Sequence, residues 1–101
     1  MTLHTYNKAP DDSAARLQNC LRMLAPGDSL LLLEDGVYLA AQLQPGAPLR
    51  GQIPEGVKLY TLDSDVAARG ISGKIPVDFS GIDYADFVQL CLAHPRVVNW
   101  N

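Results

Sequence analysis

Residues 2–6, TLHTY, alternate apolar and polar side chains and are rich in β-branched and aromatic types, which predicts a first strand. Asn7-Lys8-Ala9-Pro10 breaks it. Asp11, Asp12 or Ser13 can then cap a helix over about 13–25, because their side-chain oxygens accept from the free N–H groups of a first turn. Leu17, Cys20, Leu21 and Leu24 recur at i, i+3, i+4 and i+7 and give that helix one apolar face. Pro26-Gly27-Asp28 ends it. The apolar run at 29–33 must be covered on both faces, as in a strand inside a parallel sheet. Residues 36–42 then predict a short helix or turn, and 44–56 a loop with three prolines and three glycines. Residues 57–62 predict a third strand. DSDVAARG, 63–70, predicts a short helix stopped by Gly70, a residue that accepts the left-handed conformation. A short strand is expected near 75–79. The last helix is expected over 82–95 with Tyr84, Phe87, Val88 and Cys91 inward, and VVNW as a final strand.

Strands alternating with helices mean an α/β fold with a mainly parallel sheet. The length of 101 residues suits one domain, 1–101. A hydrophobic fraction of 48% and a charged fraction of 19% belong to a globular chain. That apolar content strains so small a core. Tyr38, Leu39, Leu43, Val97, Val98 and Trp100 sit on short segments that cannot all face one interior, which predicts an interaction surface with Trp100 as its aromatic anchor.

Net charge changes the picture next. At −3, with eight Lys and Arg scattered through the chain, there is no basic patch to grip phosphates. Direct nucleic-acid binding is not expected. No apolar run is long enough to span a bilayer, and the N-terminus lacks the charged and apolar regions of a signal peptide. A cytoplasmic protein without membrane contact is expected.

Candidate chemistry is sparse. Gly70-Ile71-Ser72-Gly73-Lys74 is too short for a phosphate-binding loop, and neither a nucleophile elbow nor a C-x-x-C pair is present. His4, His94, Cys20 and Cys91 lack the spacing of zinc ligands. His4, alone on its strand, is expected to be a hydrogen-bonded or interface residue. Glu34 and Asp35 end the leucine run abruptly. They suit the start of the next helix, where the dipole favours negative charge, and they also stand at the sheet edge where α/β sites lie. Cys91 reads as core. Cys20 lies on an apolar helix face with Arg16 one turn earlier, so two readings stand: a buried core residue, or a thiol whose pKa a neighbouring cation lowers.

Four segments in order, LHTYNKAP, CLRMLAPGDSLLLLEDGVY, LYTLDSDVAARGI and IDYADFVQLCLAHPRVVNW, resemble the TusB/DsrH family over nearly the whole chain, with 41–56 the weakest stretch. This family supplies the small subunit of the bacterial sulfur-relay complexes TusBCD and DsrEFH. The resemblance implies a single DsrE-like, Rossmann-like domain. It implies a heterohexamer with homologous TusC/DsrF-like and TusD/DsrE-like subunits, and exchange of persulfide sulfur with small sulfur-carrier proteins. The implied destination is 2-thiolation of the tRNA wobble uridine, with sulfur oxidation through a DsrEFH complex, or a purely structural scaffold role, as alternatives. No cofactor is implied. In the sister subunit that carries the main persulfide, the cysteine stands at a strand-to-helix turn. Here the corresponding turn is Leu62-Asp63-Ser64-Asp65, without a thiol, so the resemblance implies an accessory subunit of a sulfurtransferase complex. Some members of the DsrH type carry a cysteine in the first helix, and Cys20 matches that place as a persulfide carrier.

Overall fold

The structure is a computed structural model that describes residues 1–10 and 14–101. The capping expected of Asp11, Asp12 or Ser13 lies outside the described residues. Five strands, β1 (Thr2–Tyr6), β2 (Ser29–Leu32), β3 (Lys58–Leu62), β4 (Ser80–Ile82) and β5 (Arg96–Trp100), form one sheet. Its order is β4-β3-β2-β1-β5, and every neighbouring pair is parallel. The helices are α1 (Ala14–Met23), α2 (Asp63–Ala68) and α3 (Tyr84–Ala93), with a 3-10 helix at Glu34–Gln42.

All four residues of β2 are buried, as its uninterrupted apolar run requires of a central strand covered on both faces. One face carries the larger core. There Tyr6, Leu30, Leu32 and Leu59 of the sheet meet Leu17, Cys20 and Leu21 of α1, Leu24 just past its end, and Val37, Leu39 and Ala40 of the 3-10 helix. The predicted inner face of the first helix is the observed one. On the other face Leu3, Leu31, Leu62 and Ile82 are covered by Phe87, Leu90 and Cys91.

Three expectations change. Residues 75–79 form no strand: the Phe79 N–H donates to the Pro76 carbonyl, Val77 is fully exposed, and the fourth strand starts at Ser80. Proline there removes a ladder donor, and the chain turns instead. Helix α3 is rotated from its expected face. Phe87, Leu90 and Cys91 point inward, while Tyr84, Val88 and Leu92 are 61%, 55% and 75% exposed. A helix apolar nearly all round leaves its orientation to the sheet beneath it. Finally, Leu39 and Leu43 are fully buried, so the expected surface loses two of its six residues, and the partly buried Trp100 packs against the larger core.

The start of α3 follows from local chemistry. The Asp86 N–H donates to Asp83 Oδ1 at 2.8 Å and the Asp83 N–H to Asp86 Oδ2 at 3.4 Å, a reciprocal cap built from two aspartates. At its far end His94 Nδ1–H donates to the Leu90 carbonyl at 2.7 Å. A carbonyl only accepts, so Nε2 is left to accept from the Ser29 hydroxyl at 3.0 Å. This pair ties the helix to β2.

Candidate functional site

The chain builds β1 to β4 outward in one direction, and α3 then returns it to the far side of β1. The order therefore reverses between β1 and β5, and in open α/β sheets the crevice beyond the carboxyl ends of the strands is the usual place for a site. Asn7, Glu34, Asp35, Asp63 and Asp65, from the positions past β1, β2 and β3, gather along this edge with Arg69 from the end of α2.

Glu34 follows Leu33 directly out of the central strand and takes φ 51°, the left-handed region that a side chain rarely adopts. The geometry is fixed by two bonds. Its N–H donates to Asp65 Oδ2 at 2.7 Å, and its Oε1 accepts from Asn7 Nδ2 at 3.2 Å. Asp35 accepts at Oδ1 from Arg69 Nε at 3.0 Å and Nη2 at 2.9 Å, and Arg69 also reaches Asp65, with Nη1 3.6 Å from Oδ1. The hydrogen bond to Asp35 is the main reason the guanidinium holds its proton even more firmly than usual. Glu34 and Asp35 thus fasten the 3-10 helix to α2. The abrupt end of the leucine run is the seam between two segments, with both acids in the first turn as the helix dipole favours.

The turn after β3 has no linker: the strand ends at Leu62 and α2 begins at Asp63. The Asp63 carboxylate leans over Gly81 of β4, so closely that a Cβ there would meet Oδ1 at 2.1 Å. The acids that fill this turn raise the cost of any thiolate by like-charge repulsion. No cysteine or histidine belongs to the edge. Among the described residues no group of three or more His, Cys, Asp and Glu is arranged to hold a metal ion. The Oδ1 of Asn7 is buried with no partner among the described residues.

Cys20 lies far from this edge, 1% exposed within the larger core. Burial pushes its thiol up to about 12, so it is protonated at neutral pH, and a thiolate is the form that attacks a persulfide. Cys91 is half-buried on the inner face of α3. We expect an alkylating reagent at pH 8 to modify native Cys91 well before Cys20, and both alike in denaturant; peptide mapping reads this directly. Rapid native modification of Cys20 would mean that α1 opens.

A second cluster was only half visible in the sequence. His4 is hydrogen-bonded, as expected, at 3.2 Å from Asp28 Oδ2. Asp28, read from sequence as a turn residue, also accepts from Thr2 N–H at 2.9 Å and Ala25 N–H at 3.0 Å. The Ala25 bond is the local one, three residues back, and a Pro-Gly-Asp turn could have signalled it.

Comparison with known proteins gives a consistent result. A family model described as DsrH like protein matches residues 11–97. Protein TusB of Escherichia coli K12 is 41% identical over 100 residues, covering 97% of this chain and 99% of that protein, and TusB of Escherichia coli O6:K15:H31 is 40% identical over the same length. Among solved structures, the ychN protein of E. coli matches with a TM-score of 0.73 over 97% of both chains at 20% identity. Protein Tm0979 of Thermotoga maritima matches with a TM-score of 0.65 at 22% identity, over 93% of this chain and 94% of that one. At such identities these two show the fold, which is DsrE-like.

Proposed function

We propose a sulfur-relay role from one premise: the chain belongs to the DsrH family. The observation that carries the proposal is the end-to-end match to proteins named TusB. In this reading the chain is an accessory subunit of a cytoplasmic complex that moves persulfide sulfur toward 2-thiolation of the tRNA wobble uridine. Its partners are homologous TusC/DsrF-like and TusD/DsrE-like subunits, with small sulfur carriers beyond them. The acidic turn after β3 supports an accessory role, since it holds carboxylates and no thiol. The net charge of −3 is in keeping with a subunit that leaves RNA to others. No helix among the described residues is long and apolar enough to cross a membrane.

Partner binding has a candidate surface. Tyr84, Val88 and Leu92 stand one turn apart on α3, a helix with no fully buried residue, and leave an apolar stripe open to solvent. Val88→Asp should therefore weaken assembly by about 2 kcal/mol or more while leaving the isolated fold intact. The test is co-expression with the two sister subunits, followed by sedimentation and circular dichroism. A monomer that ignores both subunits at micromolar concentration would end the sulfur-relay reading; normal assembly of Val88→Asp would remove α3 from it.

A specific observation favours the scaffold variant of this role, in which Cys20 carries no sulfur: the thiol is buried and protonated. Incubating the assembled complex with a labelled persulfide donor separates the two. Label on the sister subunit alone supports the scaffold, and label on the Cys20 peptide makes this chain a carrier.

A further inference from the structure

The imidazole of His4 sits in the middle of β1, 2% exposed, and takes no part in the edge or the surface described above. Its two nitrogens face partners of opposite demand. Nε2 meets Asp28 Oδ2 at 3.2 Å, and an ionised carboxylate only accepts. Burial works to raise the Asp28 pKa, but the N–H bonds from Thr2 and Ala25 together with His4 outweigh it and hold the group below its ordinary value, so it is ionised. Nδ1 meets Trp100 Nε1 at 3.1 Å, and an indole N–H only donates. One protonation state serves both: the neutral ring with its proton on Nε2. The two rings are 6.3 Å apart between centroids and 18° from parallel. An in-plane N–H···N bond accounts for that spacing, so they lie edge to edge.

We infer that His4 is a pH-operated latch on β5: a proton on Nδ1 turns the acceptor of the Trp100 N–H into a second donor and frees Trp100 and the end of the strand. The rest of the sheet stays folded. The new charge forms beside ionised Asp28, in ion-pair contact, and is tolerated there. Leu30 of β2 and Val98 of β5 flank His4 in register. The side of α1 over this face offers leucines and Cys20, whose thiol is uncharged. Trp100 gains nothing in exchange, because a cation is attracted to the face of an indole and this ring presents its edge. As an edge strand β5 pairs with β1 alone, in register from Arg96 to Trp100, so the release is confined to its Trp100 end.

The sequence holds a single tryptophan, so selective 15N labelling gives one indole signal. At pH 8 the 15N shifts of His4 should report the Nε2–H tautomer. As the sample is acidified from pH 8 to 5, the indole N–H should lose its bonded shift, and its protection from exchange should fall about tenfold, the worth of one such bond. Far-UV circular dichroism should hold steady. His4→Asn, whose side-chain oxygen accepts at any pH, should abolish the transition, and His94→Asn, which removes the other histidine near β5, should keep it. A Nδ1–H tautomer at pH 8, or an indole signal unchanged down to pH 5, overturns the inference even if neither variant folds. So does a transition that survives in His4→Asn or vanishes in His94→Asn.

Discussion

Gly36→Ala is expected to lower the unfolding free energy by about 3 kcal/mol or more. The third residue of the 3-10 helix presses its Cα against the end of β1. A Cβ there would lie 2.1 Å from the Tyr6 carbonyl oxygen, 2.9 Å from its carbon and 3.2 Å from Asn7 Cα. All three are backbone atoms, so no side-chain rotation offers relief. The Tyr6 oxygen is also engaged, accepting from the Leu33 N–H at 3.1 Å, and that bond fixes how β1 meets the chain leaving β2. Making room means lifting the helix that seals Val37, Leu39 and Ala40 onto the core. Gly51→Ala and Gly73→Ala provide the contrast. Neither position has an atom within 4 Å of the added carbon or a left-handed φ, so both should stay within about 0.5 kcal/mol of the parent. Urea unfolding of the three variants checks this, and equal midpoints would mean that the close approach does not exist in solution.

Asp28→Ala is the other substitution with a large expected effect, about 3 kcal/mol, because it strips acceptors from two backbone N–H groups and a buried imidazole at once. Asp28→Asn keeps one oxygen and should lose about half as much. The pH dependence has a definite sign. The folded state holds the carboxyl pKa below its unfolded value of 3.8. Its contribution is therefore fully present above that value and is lost as the pH falls through the lower, folded one. The gap between Asp28→Asn and the parent should then be present at neutrality and shrink in strong acid. Urea unfolding at pH 7 and below pH 3 measures it, and a gap that widens in acid would contradict the ionised state.

Much of the fold was legible because its elements announce themselves locally. The alternation in TLHTY, the apolar run of β2, the Leu17–Leu24 face of α1 and Gly70, observed at φ 65°, each state their structure within a few residues. What the sequence concealed depends on neighbours far along the chain. Trp100 reads as an interface anchor because it and five other apolar residues sit on short segments that cannot all face one core; its hydrogen-bond partner is His4, at the opposite end. The facing of α3 could not be read from a helix apolar on nearly every side. The carboxyl edge was half legible. Glu34 and Asp35 advertised a helix start, but their attachment to Asp65 and Arg69 crosses from the end of one strand to the end of the next. Cys20 was legible as a face and not as an environment, since the depth of a thiol is a property of the whole core.

The position of β5 has a consequence for how the chain reaches its native state. Strand β1 is hydrogen-bonded on one side to the next strand in sequence and on the other to residues more than ninety positions away, as the bonds from Thr5 to Asn99 and from Trp100 to His4 attest. Contacts of that separation carry a loop-closure penalty that nearer pairings escape, so β1 should join β2 before β5 arrives. Until then β1 offers a bare row of N–H and C=O groups that any other chain could copy. In amide exchange the β1–β5 ladder should open independently of the β1–β2 ladder, as a separate and less stable cooperative unit. The final strand is in effect the fold's own guard against templated aggregation, and conditions that loosen it uncover β1 to a neighbouring molecule.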